Sequence, residues 1–183
     1  MKKFIGVIFS LCLAFSVMGC ASNQPRSVGI PSEVANARRN APVDVLVGIG
    51  NAKMANDWTE AMPRGIATNR ARMEISQTMN SMVMNMLRDY TAASEVDPAA
   101  AIAFLESMFE TLSRSELVGS VTVFTDSDSD GTWWSVVYLS REDVAREINQ
   151  AQAVARLAVP AMASFDANAR MNEAFNRARA EGN

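Results

Sequence analysis

The sequence predicts a small α+β domain, in which helices pack on one face of a largely antiparallel sheet of about three strands. The chain has 183 residues, of which 49% are hydrophobic, and this is the size of one ordinary domain. Strand-like segments stand before and after a long helical stretch, and a short polar connector joins the last two of them. The resulting order, β-α-α-β-β-α-α, favours a sheet with segregated helices over repeated βαβ units.

The first 20 residues have the layout of a bacterial export signal that ends in a lipidation site. After positive charges at Lys2 and Lys3, residues 4–18 are almost entirely apolar, but this run is shorter than the roughly 20 residues of a membrane-spanning helix. The segment Val17-Met18-Gly19-Cys20 is similar to a lipobox, whose cysteine carries the lipid. We predict a signal peptide over residues 1–19 and a lipid anchor on Cys20, with an ordinary secretory signal as the alternative.

Residues 20–41 are predicted to form the lipidated cysteine and a flexible tether. They are rich in polar residues, include Pro25 and Pro31, and show no apolar period. A helical turn fits residues 34–39, and Pro42 would end it. The folded α+β domain is therefore predicted over residues 42–183.

The first predicted strand covers residues 43–50, where β-branched side chains occupy the odd positions. Gly48 and Gly50 invite comparison with a dinucleotide-binding turn, but Lys53 stands where the third glycine is needed. We therefore interpret the two glycines as a bend or as close packing against a helix.

A long amphipathic helix is predicted next, ending near Tyr90. Its start is ambiguous because Pro63 and Gly65 interrupt the pattern, although Thr59 as N-cap would leave Pro63 in the first turn. Apolar residues then recur at spacings of three and four along a predicted buried stripe: Ile75, Met79, Met82, Val83, Met86, Leu87 and Tyr90. Met82, Met84 and Met86 could suggest a copper site, because thioether sulfurs bind Cu(I). Side chains two positions apart on a helix point to different sides, however, so the three sulfurs cannot converge. Core packing along the stripe explains Met82 and Met86 instead.

Two further helices are marked by their caps. Asp97 is the predicted N-cap of a helix that ends around residues 113–115, and Ser140 with Asp143 predicts a capping box for a later one. The predicted buried face of the earlier helix is Ile102, Leu105, Met108, Phe109 and Leu112. The predicted buried face of the later one is Val144, Ile148, Ala151, Val154 and Ala155. Pro160 ends it, and an amphipathic segment with Phe165 and Phe175 follows.

Residues 119–140 predict a β-hairpin with strands over 121–125 and 132–139. Its connector contains Asp126, Asp128, Asp130 and Gly131, which match the first half of a calcium-binding loop. The match then fails, because Val137 stands where the loop requires a bidentate glutamate. We favour a solvated turn and keep calcium binding as the alternative.

The hairpin also carries Trp133 and Trp134, which point to opposite faces of their strand. We expect helices to cover both indoles. The alternative is that one of them, together with Phe165 and Phe175, forms a protein interface.

Composition removes several classes of function. The chain has no histidine, and Cys12 and Cys20 both stand at its N-terminus, so we predict no histidine-dependent nucleophile and no cofactor held by histidine or cysteine. A formal net charge of −3 disfavours nucleic-acid binding. An enzyme that uses paired carboxylates is the least favoured hypothesis, because the acidic residues are explained by caps and turns.

The lipobox, the tether, the segment Val47–Ala52 and an Ala- and Arg-rich helix together resemble LPP20-type lipoproteins, over roughly residues 40–155. The helix residues that carry the resemblance are Ala67, Arg70, Ala71, Arg72, Glu74 and Ile75. The resemblance implies outer-membrane or surface attachment, a small α+β domain and no established enzyme activity. We therefore expect a non-enzymatic outer-membrane lipoprotein that binds another protein or forms homo-oligomers. A periplasmic module that binds a small ligand or calcium is the alternative.

Overall fold

The computed structural model describes residues 29–167 and 169–173, and within this part of the chain the predicted α+β fold class is confirmed. The described elements are α1 (Ser32–Arg39), β1 (Val45–Lys53), α2 (Ala61–Ala93), α3 (Pro98–Arg114), β2 (Val121–Ser127), β3 (Thr132–Ser140) and α4 (Arg141–Ala158). A 3₁₀ turn follows at Pro160–Met162, and residues 169–173 are helical. The predicted signal peptide, Cys20 and Phe175 lie outside the described residues.

The three strands form an antiparallel sheet in the order β1-β3-β2. β1 pairs with β3 from Val45 opposite Ser140 to Lys53 opposite Thr132. β2 pairs with the other side of β3, as the hairpin prediction requires, and carries a bulge between Thr122 and Phe124. β3 is therefore central and buried along most of its length.

α2 packs directly on the sheet face that carries Gly48 and Gly50. A Cβ atom built on Gly48 would lie 2.0 Å from the carbonyl oxygen of Ala71, and one on Gly50 would lie 2.0 Å from that of Ala67. Only glycine permits backbones to approach this closely, so close packing against a helix, one of the two interpretations of these residues, is confirmed. α3 and α4 pack beside α2, and together they bury the main core, which includes Ile75, Met79, Val83, Phe104, Met108, Val137, Leu139 and Ile148.

Polar side chains of α2 also close part of the outer edge of β1. The Arg70 guanidinium donates to the carbonyl oxygen of Asn51, and Glu74 accepts the backbone N–H of Ile49, both at 2.6 Å. Unpaired backbone groups on an edge strand otherwise attract other strands. The Ala- and Arg-rich pattern of α2 thus has a structural explanation: the alanines allow close contact, and the charged residues tie the helix to the strand.

The opposite sheet face is partly covered by α1, and this corrects the predicted boundary between tether and domain. Val34 is 0% exposed and packs against Trp134, and the Tyr138 hydroxyl donates to the carbonyl oxygen of Ala37. Residues 31–41 therefore belong to the folded unit, and the helices are not confined to one face. This docking is hard to predict from the sequence, because Val34 is the one buried side chain in a helix of eight residues.

The caps predicted at Asp97 and Ser140 are confirmed. Asp97 accepts the N–H of Ala99, and the Ser140 hydroxyl accepts the N–H of Asp143, both at 3.1 Å. The ambiguous start of α2 lies at Ala61, so Glu60 and not the suggested Thr59 is the N-cap residue. Pro63 lies in the first turn, as expected, where proline is tolerated.

Two residues that we predicted to be buried lie at the surface instead. Ile102 of α3 is 59% exposed, because this helix turns a different face to the core, formed by Ala101, Phe104, Met108 and Leu112. Val154 of α4 is 46% exposed, whereas Glu147 and Gln152 of the same helix are buried. The first half of α3, residues 98–105, is apolar on every side, so the pattern there does not single out one face.

Candidate functional site

The aromatic residues predicted as an alternative protein interface are core residues wherever the structure describes them. Trp133 and Trp134 are 7% and 6% exposed, Phe165 is fully buried, and Phe175 lies outside the described residues. Trp133 packs under α2, where the Arg64 guanidinium lies 4.7 Å from the centre of its ring, and Trp134 packs under α1. Helices cover both indoles, as expected, and the burial of Trp133, Trp134 and Phe165 leaves little of their surface for the alternative interface.

The segment after Pro160 completes the core of its own chain. The Phe165 ring meets Tyr90 and Phe104 edge-on, with ring centres 5.2 and 5.5 Å apart. The N–H of Ala167 donates to the buried side-chain oxygen of Gln152 at 2.7 Å. This amphipathic segment therefore seals the end of the α2, α3 and α4 layer.

The predicted calcium-loop residues hold the hairpin turn. Asp128 Oδ1 accepts the N–H groups of Asp130 and Thr132 at 3.1 and 3.0 Å, and its Oδ2 accepts the indole N–H of Trp134 at 2.9 Å. Asp130 accepts from the backbone and hydroxyl of Thr132, and Asp126 from the backbone that follows it. Nowhere in residues 29–167 and 169–173 do three or more acidic or cysteine side chains come together as metal ligands, so the geometry does not favour calcium.

These hydrogen bonds also set the charge of the turn. A side-chain hydrogen bond with Asp130, then those from the Trp134 indole and the backbone N–H groups of Thr132 and Asp130, lower the pKa of Asp128 from 3.8 to about 2. Asp128 is therefore ionised throughout the neutral range and acts as a fixed acceptor that joins the turn to Trp134.

An apolar groove of about 500 Å³ runs between the second half of α2 and the first half of α3, and we call it the α2–α3 groove. Its wall includes Met84, Leu87, Val96, Ile102, Leu105 and Arg88. Ile102 is 59% and Met84 39% exposed. Arg88 is exposed and forms no ion pair with any described residue. The groove can bury apolar side chains of a ligand next to one free cationic group.

A second cavity, of about 440 Å³, lies between the end of α3 and the middle of α4, and we call it the α3–α4 cavity. Glu147 forms part of its wall and is only 6% exposed. The Ser115 hydroxyl donates to Glu147 Oε2 at 2.5 Å and accepts the N–H of Leu117 at 3.1 Å. These two hydrogen bonds, which we call the Glu147–Ser115–Leu117 relay, anchor the loop after α3. In this loop Leu117 adopts a left-handed φ of 49°.

Sequence reasoning found neither the groove nor the cavity. The groove is built partly from Ile102 and Leu105, which the sequence pattern predicts to be core residues. For the cavity a signal existed, since Glu147 falls three residues after Val144 and four before Ala151, on the buried side of α4. A charged residue within an apolar stripe indicates a buried charge, which is rare and needs a structural or functional reason.

Comparison with known proteins adds no family assignment. The chain matches no protein-family model, and no curated protein matches it significantly. In the part of the chain that the structure describes, each helix is too short or too polar to cross a membrane.

Proposed function

We propose that this protein is a lipid-anchored, non-enzymatic component of the bacterial outer membrane, which binds another protein through the α2–α3 groove. The lipobox-like segment ending at Cys20 supports the anchor, and the resemblance to LPP20-type lipoproteins supports the location. The anchor would hold the folded unit, which begins at Pro31, close to the membrane surface.

The observation that carries the binding role is the uncovered apolar groove itself. Ile102 is 59% and Met84 39% exposed, so covering the exposed part of each side chain contributes about 1 kcal/mol. Contiguous apolar surface with a polar border is typical of sites at which proteins meet. A partner that filled the groove would bury these two side chains together with the exposed parts of Val96 and Leu105.

The occupant that fits best is an amphipathic helical segment of the partner protein. Grooves between two helices accept apolar side chains spaced three and four residues apart on a third helix. Arg88 has no carboxylate partner among the described residues, so charge complementarity calls for an acidic residue beside the apolar ones.

The acidic residues with shifted pKa values support a non-catalytic role. Asp128 holds the hairpin turn, as described above. Asp143 lies in the N-terminal cap of α4. Its pKa is lowered mainly by the hydrogen bond with Ser140 and then by the nearby Arg146 guanidinium. Carboxylates that are ionised more firmly than usual are poor general acids and weak bases, whereas proton transfer near neutral pH needs a raised pKa.

The test is site-specific photocrosslinking in intact cell envelopes with the full chain. A crosslinker at position 102 should capture one partner, and the crosslinked peptide should be an amphipathic segment with an acidic residue. A crosslinker at position 157 is the matched control, because Leu157 is an 85% exposed apolar residue of α4 outside the groove.

Variants then separate specific from adventitious capture. With the crosslinker at position 102, Met84→Glu and Arg88→Glu should each abolish the adduct, whereas Leu157→Glu should not. Reversing the charge of the partner's acidic residue should restore capture by Arg88→Glu. Equal capture from positions 102 and 157, or an adduct that Met84→Glu leaves unchanged, would contradict the proposed function.

A further inference from the structure

The α3–α4 cavity contains a buried carboxylate that forms no ion pair within the described part of the chain. Glu147 is 6% exposed, and none of the ion pairs among the described residues includes it. A buried carboxylate without a counter-charge is strongly unfavourable, so buried acids are generally paired. The Ser115 hydroxyl satisfies one oxygen of Glu147, but it is neutral and leaves the charge uncompensated.

A second acidic residue in the cavity wall adds to the negative charge of Glu147. Glu110 and Arg114 neutralise each other in the cavity wall through an ion pair of 2.6 Å. Glu116, also in the wall, is exposed and forms no ion pair with a described residue. The cavity therefore carries two carboxylates that no described basic residue pairs with, and it favours a positively charged ligand.

The geometry selects an organic cation over a metal ion. A hard divalent cation takes six or more oxygen ligands, and no group of three acidic side chains within the described ranges could hold one. An ammonium group needs only three acceptors. Besides the Glu147 carboxylate, the wall offers the Thr111 hydroxyl and the Gln150 amide oxygen.

The apolar part of the wall indicates what the ammonium group is attached to. Leu112, Val118 and Val154 line the same cavity, and they suit a short aliphatic chain. A volume of about 440 Å³ lies in the range of small-molecule sites. We propose that the α3–α4 cavity binds a primary alkylammonium group, with the Glu147 carboxylate as its counter-ion. This proposal is independent of partner binding in the α2–α3 groove.

Isothermal titration calorimetry of the full chain in nonionic detergent tests the proposal with n-butylammonium as the probe. We expect saturable binding with a Kd of about 1 mM or tighter. n-Butanol, which has the same chain without the charge, should show no binding. A blocked lysine, Nα-acetyl-lysine N-methylamide, distinguishes the source of the group: binding of both probes indicates a polypeptide lysine, and binding of n-butylammonium alone indicates a free amine.

Glu147→Gln is the decisive variant, because its amide oxygen still accepts from Ser115 while the charge is removed. It should weaken n-butylammonium binding at least tenfold, whereas Glu106→Gln, an exposed acid of α3 outside the cavity, should leave it unchanged. Should Glu147→Gln fail to fold, Val154→Trp provides the test, since it fills the exposed wall without touching the buried relay and should abolish binding.

Three results would overturn the proposal. These are the absence of saturable heat with both amines, undiminished binding by a folded Glu147→Gln or Val154→Trp variant, and calcium binding that depends on Glu147 in place of amine binding.

Discussion

Replacing Gly48 by alanine should strongly destabilise the protein, because the added methyl group has no space. Its Cβ would lie 2.0 Å from the carbonyl oxygen of Ala71, whereas ordinary contacts begin at 3.4 Å, so the two backbones must separate by about 1.4 Å. The nearest obstacles are backbone atoms of α2, and these cannot rotate away as a flexible side chain would.

The cost follows from what that separation disturbs. α2 contacts the sheet at Ala67, Ala71 and Ile75, all of which are fully buried, so moving the helix loosens the packing on both sides of the glycine. Overpacking a core costs about 1–3 kcal/mol, and a backbone obstacle places Gly48→Ala at about 3 kcal/mol. This is a large fraction of the roughly 5–15 kcal/mol that stabilises a typical domain.

Urea unfolding measures the effect. The chain without residues 1–19, with Cys20→Ser, can be followed through the fluorescence of the buried Trp133 and Trp134. Gly65→Ala is the matched control, since Gly65 lies in α2 with open space around it. It should stabilise the protein by about 0.5–1 kcal/mol through helix propensity.

The reasoning would be refuted if Gly48→Ala unfolded within about 0.5 kcal/mol of the parent chain, a change typical of neutral surface substitutions. It would also be refuted if Gly65→Ala were equally destabilising, because close approach would then not be the cause.

Three other outcomes are expected. Asp128→Asn should lower stability above pH 4, and its difference from the parent should vanish as the pH falls from 3.8 to about 2, because the depressed pKa of Asp128 stabilises the fold only while the group is ionised; a pH series of urea midpoints measures this. Phe165→Ala should cost about 3–5 kcal/mol in the same urea assay, and truncation after Pro160 should prevent folding by circular dichroism, since Phe165 is fully buried against Tyr90. Cys20→Ala should leave an uncleaved precursor without incorporated palmitate, and normal labelling of this variant would disprove the predicted anchor.

The sequence alone determined the features that depend on neighbouring residues. The fold class, the hairpin, the stripe of α2 and the caps at Asp97 and Ser140 were predictable, because side-chain period, turn chemistry and capping act within a few residues of one another. The glycines at 48 and 50 also belong here, since the absence of a third glycine left packing or a bend as their interpretation.

Only the tertiary structure decided which surfaces meet. α1 docks on the sheet through Val34, its one buried side chain, and one position cannot form a periodic pattern. The sequence does not separate Ile102 from the core residues, because the first half of α3 is apolar on every side; the buried face of α3 is the one that packs Phe104 and Met108 into the core. Glu147 is buried because α4 closes over the loop after α3. The physical reason is common to all three: a pattern shows that a side chain can be buried, whereas its burial depends on which distant part of the chain packs against it.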